Sequence, residues 1–422
     1  MRFRLHGEGF SDRHLTVQEI YNICKDAFSD NQLYGKRILF MIPDHSRSAP
    51  LDIMFRSIYE LLHDSVETLD FLIALGTHPP MSEEMILNRV GITAEEKIKH
   101  YSQARFFNHD WKNRDQLIHI GTLSGKTVNA ISNGMMQQPV EISINKMVLD
   151  YDLLFIIGPT FPHEVAGFSG GNKYLFPGIA GQEIIDMFHW LGALITNAAI
   201  IGQKYTPVRR IVDMAAAMVP VDRFCASMVV EGNGLAGLYL ASPEQAWDKA
   251  ADLSQKLHIV YKSKPYRQVL SCAPSIYDEL WTGGKCMYKL EPVVADGGEL
   301  IIYAPHIDKI SVTHGELIRK IGYHVRDYFV KQMTHFEDIP LGVMAHSTHV
   351  KGLGTFENGV EKPRIHVTLA SGIPKEICRE INLGYRDPNT IQPKKWQNRE
   401  EEGILYVPRA GEMLYRLHSD RS

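Results

Sequence analysis

Cysteine is scarce in this chain, and charge of either sign is nowhere concentrated. The five cysteines (Cys24, Cys225, Cys272, Cys286 and Cys378) stand far apart, form no C-x-x-C pair and are odd in number. That spacing argues against a zinc ribbon or a disulfide framework and fits a reducing compartment. There is no block of basic residues and the formal net charge is −4, so nothing points to nucleic acid or a membrane surface as a partner. No apolar run is long enough to span a bilayer, and the opening MRFRLHGEGF lacks the apolar core of a signal peptide. The expectation is a cytoplasmic protein. Repeats and low-complexity tracts are lacking too.

What is present is an alternation of apolar runs and amphipathic stretches. The apolar runs at 37–43, 69–74 and 153–157 read as buried strands, and 51–63 carries helical periodicity. A helix is expected over 81–90 behind Ser82, another over 209–218, a strand over 225–230, and a helix over 242–258 with Ser242 as N-cap and Pro243 at its first turn. The polar segment 261–267, containing Lys262, Lys264 and Pro265, breaks the pattern. It places a domain boundary there, giving an N-terminal domain of 1–265 and a C-terminal domain of 266–422. The second series has strands at 268–272, 299–303, 366–369 and 403–407 and a helix at 314–321. The fold class this implies is α/β: two α/β domains with mainly parallel sheets, and an active site in the cleft between them.

Polar clusters follow the expected strands. Asp44, His45, Ser46 and Arg47 come after the first, Gly76, Thr77 and His78 after the second, His163 after 153–157, and Lys285 after 268–272. Open α/β sheets bind ligands outside the carboxyl ends of their strands. Taken singly, each has a plain alternative: Asp44 as a helix cap, Arg47 as a surface cation, Lys285 as a solvated lysine. The densest stretch runs from Gly158 to Trp190, with His163, then Ser169, Gly170, Gly171, Asn172 and Lys173, then Pro177-Gly178 and His189. A strand entering a glycine-rich turn lets backbone N–H groups approach a phosphate. A P-loop does not fit, because Lys173 lies between Asn172 and Tyr174; a zinc-protease helix does not fit, because Gly167 stands where the second histidine belongs.

Together these motifs resemble the nickel-dependent lactate racemases and their homologues. The resemblance rests on Ile42-Pro-Asp-His-Ser-Arg47, Ala74-Leu-Gly-Thr-His-Pro-Pro-Met81, Pro162-His-Glu-Val-Ala-Gly-Phe-Ser-Gly-Gly-Asn-Lys173, Pro177-Gly-Ile-Ala180 and His189. It implies a nickel-pincer nucleotide, a pyridinium-3-thioamide-5-thiocarboxylate mononucleotide whose ring carbon and two sulfurs hold nickel, attached covalently at Lys173. It further implies His189 as the protein's nickel ligand, His78 and His163 as acid/base histidines, Arg47 and Lys285 as substrate-carboxylate and keto-oxygen partners, and Asp44 as a nucleotide contact. Ser169, Gly170 and Gly171 would line the cofactor, and Thr282 stands at a substrate-contacting position. An imidazole suits both proton transfer near neutrality and nickel, and a guanidinium fork suits a carboxylate.

The reaction implied is inversion at C2 of a 2-hydroxy acid by reversible hydride transfer, with cofactor-maturation proteins as loading partners. Another isomerase or an oxidoreductase on the same scaffold, or a non-catalytic nucleotide carrier, stays open. Three positions depart from the family's usual pattern. Pro79 stands where an arginine is usual, Thr282 where a glutamine is usual, and Tyr277-Asp278 displaces the usual aspartate. These departures lie on the substrate side and predict a substrate larger than lactate, with a polyhydroxy or an aromatic tail beside Trp281.

Overall fold

The computed structural model describes residues 3–31 and 33–420 and is mixed α/β with mainly parallel sheets. It forms two compact units. One comprises Met1–Phe161, Phe168–Ile185 and Arg209–Leu257; the other comprises Pro162–Gly167, Asp186–Val208 and His258–Ser422. Among the described residues no helix is long and apolar enough to cross a membrane.

The first unit is built on a seven-stranded sheet in the order His6–Gly9, Gly234–Ala241, Asp222–Glu231, Leu153–Pro159, Arg37–Pro43, Thr68–Ala74, Ala104–Asn108. The last five strands are mutually parallel, and the first two are joined by antiparallel pairs. Every residue of Leu153–Pro159 is buried, as are the last six of Arg37–Pro43. Strands covered on both faces need continuous apolar sequence, which is why these runs were legible. Five phenylalanines set their register. Phe106, Phe71, Phe40, Phe155 and Phe224 stand opposite one another on five neighbouring strands. Adjacent ring centroids are 5.1, 4.9, 5.0 and 5.1 Å apart. Each buried ring contributes on the order of 1.5–3 kcal/mol, and a one-residue slip would turn any of them to the other face.

Chain direction across this sheet reverses between Arg37–Pro43 and Leu153–Pro159. From the former the chain steps outward through Thr68–Ala74 to Ala104–Asn108; from the latter it steps the other way through Asp222–Glu231 to Gly234–Ala241. Such a switch point opens a crevice at the strands' carboxyl ends, where Asp44 and Thr160 emerge.

The second unit has a five-stranded, all-parallel sheet in the order Gly384–Tyr385, His366–Ser371, Val294–Ala304, Tyr266–Cys272, Ile404–Val407. Leu270, Ile301 and Ala370 form part of its core. Helix Leu341–Lys351 is buried continuously from Val343 onward.

Element boundaries shift modestly from the expectations. The helix expected over 51–63 is Leu51–Leu62, and that over 209–218 is Pro207–Ala216. Ser82 caps Glu83–Arg89 by accepting from the Met85 N–H. The polar segment 261–267 is a larger difference, because it is shared between two strands. Ile259–Lys262 pairs in parallel with Leu414–Leu417, and Tyr266–Cys272 enters the main sheet. Lys262 and Lys264 place their ammonium groups on Glu400 and Glu401 at 3.0 and 2.9 Å, which leaves the backbone free to pair. Sequence reading did not anticipate helix Val17–Asp30, closed by a Thr16/Glu19 capping box, or strand Gly234–Ala241.

Candidate functional site

In the first unit, the loop after Arg37–Pro43 carries Asp44 and Arg47, and the turn after Thr68–Ala74 carries His78. The His78 ring directs Nδ1–H onto Asp44 Oδ2. The other carboxylate oxygen, Oδ1, accepts from the Ser46 backbone N–H at 3.1 Å and its hydroxyl at 2.7 Å. Burial works to raise the Asp44 pKa, but the His78 ring, the Arg47 charge and the Ser46 hydroxyl outweigh it and hold the carboxyl well below its usual range. Asp44 is therefore an ionised group locked in place, and the ring nitrogen it leaves open is His78 Nε2.

Arg89, which sequence reading missed, holds this loop. Its half-buried guanidinium donates to the carbonyls of Arg47 (2.7 Å), Ala49 (3.2 Å) and Pro43 (3.4 Å). The turn bearing His78 is tied by the Gly76 N–H to the Gly178 carbonyl at 2.9 Å, in the proline-glycine turn beyond Lys173. Tyr174, beside Lys173, lies in the field of Arg47, Arg89 and Asp44, so these motifs converge at the switch point.

The glycine-rich loop is braced from behind. Gly170 and Gly171 have φ of +86° and +58°, where a side chain is strained. A Cβ at Gly170 would stand 2.6 Å from Thr160 Oγ1, and one at Gly171 would stand 3.0 Å from Trp247 Cβ. Their small size thus serves the protein's own packing. Arg209, 3% exposed, donates to the Phe168 and Gly170 carbonyls and lies 4.2 Å over the Trp247 ring. The Trp247 indole N–H donates to the Ser169 carbonyl at 2.9 Å. Asn172 gives its amide to Asp213 (3.0 Å) and Glu244 (2.8 Å). Arg209 and Trp247 lie 39 and 78 residues from their partners in this loop, too far for a local signal in the sequence.

In the second unit, His163 Nδ1 accepts from the Val165 N–H at 3.1 Å and from the Ala166 N–H at 3.4 Å. Phe188 packs edge-on against both His163 (6.4 Å) and His189 (5.0 Å). Lys285 opens the short helix Lys285–Tyr288, is 8% exposed and sets its ammonium 4.7 Å over the Tyr277 ring. The Thr282 hydroxyl donates to the Glu279 carbonyl at 3.0 Å. Trp281 stacks on His346 at 3.9 Å and lies 4.5 Å from His314, two neighbours that the sequence did not bring to notice. Burial, then the fields of His349, His314 and His189, hold the His346 ring well below its ordinary pKa.

The residues around Lys173 suit a polar nucleotide. Thr160 Oγ1, at the carboxyl end of Leu153–Pro159, and Asn172 Oδ1, next to Lys173, are buried polar atoms with no protein partner. Among the described residues no group of three or more His, Cys, Asp or Glu is arranged to hold a metal. A single imidazole such as that of His189 is a donor type that suits nickel.

Residues 12–202 match the lactate racemase N-terminal domain family. The lactate racemase of Thermoanaerobacterium thermosaccharolyticum is 25% identical over 278 residues, 65% of this chain and 61% of that protein. That of Lactiplantibacillus plantarum is 27% identical over 157 residues, 36% of this chain and 32% of that protein. The chain thus aligns with less than two thirds of the length of these curated relatives. Among solved structures, a Thermotoga maritima protein is 32% identical with a TM-score of 0.89, covering 97% of this chain and all of that one. The T. thermosaccharolyticum lactate racemase apoprotein shares the fold, with a TM-score of 0.71 at 20% identity over 98% of this chain and 95% of that one. The chain carries a lactate racemase N-terminal domain over residues 12–202.

Proposed function

We propose that this protein is a racemase or epimerase that inverts C2 of a 2-hydroxy acid, working with a nickel-pincer nucleotide carried on Lys173. The Asp44–His78 pair at the sheet's switch point is the observation that carries this reading. It gives an imidazole with an ionised partner in a domain whose relatives are lactate racemases.

When bound, the nucleotide supplies a reversible hydride acceptor and the nickel that His189 ligates. Arg47 grips the substrate carboxylate with its fork, and Lys285 holds the C2 oxygen. His78 Nε2 takes the hydroxyl proton, and Asp44 offsets the charge that the ring gains. His163 meets the hydroxyl presented on the opposite face. A 2-keto acid is planar at C2, so the face on which C2 regains its hydrogen sets the configuration, and His163 would return the proton to the C2 oxygen when that face is the opposite one. Asp44, Ser169, Gly170 and Gly171 position this machinery, with cofactor-maturation proteins as loading partners. The Thr282 hydroxyl is occupied by Glu279, so it leaves room where a longer side chain would contact a small acid. This favours a substrate larger than lactate.

Protein matured with the cofactor and assayed for stereochemical inversion of a panel of 2-hydroxy acids tests the reading. Nickel at about one per chain, an adduct mass on Lys173 and inversion of at least one acid are expected. A loaded protein that inverts none of them overturns it.

A further inference from the structure

Glu279 stands at the N-cap of the one-turn helix Leu280–Gly283, which runs on through Gly284, itself helical, into Lys285–Tyr288. An N-cap side chain ordinarily turns back onto its own helix. This one reaches outward instead. Its buried carboxylate accepts from the Val312 N–H at 2.6 Å and, more loosely, from the Ser311 hydroxyl at 3.4 Å. Both belong to the loop that follows Val294–Ala304. That loop caps the helix in return: the Lys309 and Ile310 carbonyls take the Leu280 and Trp281 N–H groups at 3.0 and 2.9 Å. These are two of the donors that every helix start leaves without intrahelical partners. Capping is thus exchanged between two segments of the second unit, each following its own strand of a parallel pair. Ser311 Oγ also accepts from the His314 N–H at 3.2 Å, and the His314 ring lies 4.5 Å from that of Trp281. Trp281 and Lys285 are four residues apart on the helix and so share a face.

We infer that Glu279 is a positioning residue for substrate selection. By clasping residues 309–312 it fixes Trp281 and His314 as the wall that meets the part of the acid beyond C2. The inference rests on the reading given under Proposed function, in which Thr282 and Lys285 meet the substrate. Glu279 touches no reacting atom, and its effect passes through the two rings. A wall set beside Lys285 on one helix face discriminates among acids by what they carry beyond the C2 oxygen. Lactate, with only a methyl group there, gains least from it; an acid with a longer tail gains most.

Hydrogen exchange read by mass spectrometry on the full chain without cofactor tests the clasp. Glu279→Ala is expected to speed exchange in peptides covering 309–314 by about tenfold or more, and to leave peptides of the central strands unchanged. Glu279→Gln, which keeps an acceptor for the Val312 N–H, is expected to recover most of the protection. Unchanged exchange in Glu279→Ala overturns the inference. Kinetics of matured protein, compared per loaded site, test the selection. For the larger acid that the unaltered enzyme turns over fastest, Glu279→Ala is expected to lower kcat/KM by about tenfold or more, chiefly through KM, while lactate changes by less than about threefold. Trp281→Leu is expected to show the same shift, and adding Glu279→Ala to it to shift the preference no further. Equal losses on every acid, or a further shift in the double variant, overturn the inference. Faster exchange in a protein that inverts no 2-hydroxy acid would remove the functional reading, and the selection role with it, while the clasp stands.

Discussion

His78 and Asp44 are joined through imidazole Nδ1 and carboxylate Oδ2 across 34 residues of sequence, each at the end of its own parallel strand. The pair makes Asp44 a tautomer-setting group for the ring, a role the resemblance alone did not suggest. Asp44→Asn keeps the shape and removes the charge, so turnover is expected to fall by about 10²-fold or more while KM changes little. Steady-state kinetics on the matured variant check this. Normal turnover would remove the dyad; normal kinetics per loaded site with poor loading would return Asp44 to a nucleotide-binding role.

Lys173 and His189 are separable by measurement. Lys173→Ala is expected to lose the covalent adduct in intact-mass spectrometry. His189→Ala is expected to keep its circular dichroism and lose most of its nickel. Full adduct mass in the first, or unchanged metal content in the second, would show that the wrong residue had been chosen.

Acid stability follows from buried neutral histidines. Burial pushes the His109 pKa down to about 4, partly countered by its Nε2–H bond to the Ala180 carbonyl at 3.0 Å; Asn145 donates to the other ring nitrogen at 3.3 Å. The unfolded chain binds a proton near pH 6.5 that the folded ring refuses until about pH 4. Stability is therefore full above that window and falls as pH drops through it, by up to about 3 kcal/mol from this group. Burial pushes His349 to about 4 as well and works in the same direction. Denaturant melts at pH 7.5 and pH 5 should show a smaller difference for His109→Gln than for the unaltered protein. An identical difference would mean that His109 is not held neutral.

Substrate size is read from Thr282 and Pro79. Lactate, malate, phenyllactate and an aldonic acid, compared on matured enzyme, are expected to rank lactate below at least one larger acid. Thr282→Gln should shift that ranking toward lactate by several-fold. If lactate were fastest in the unaltered enzyme, the size argument would fail without touching the cofactor assignment.

Much of the first unit was legible because its central strands are buried on both faces and so are written as unbroken apolar runs, each followed by its polar loop. His78 and His163 stood out because their chemistry follows those strand ends closely, and Lys173 and His189 because of their spacing from His163. The residues that hold the loops rigid were silent. Arg89, Arg209 and Trp247 lie on helices distant in sequence and look like ordinary surface or core residues until the chain is folded. Strand Gly234–Ala241 was masked by its glycines, and helix Leu341–Lys351 by burial around its circumference, which erases the apolar stripe. The lysine-rich segment near 262 read as a break because long side chains hide a pairing backbone.

The five-ring row of Phe106, Phe71, Phe40, Phe155 and Phe224 has a consequence beyond cohesion. Asp44 lies four residues beyond Phe40, His78 seven beyond Phe71 and Thr160 five beyond Phe155. The rings act as a common datum from which these loops depart, so the height of each polar group above the sheet is dictated by hydrocarbon that never meets a ligand. Trimming one ring, as in Phe40→Leu, would let neighbouring strands settle by fractions of an ångström. The expected injury is a blurred alignment of Asp44 with His78 in a protein that still folds, so that catalytic fidelity is lost before stability is.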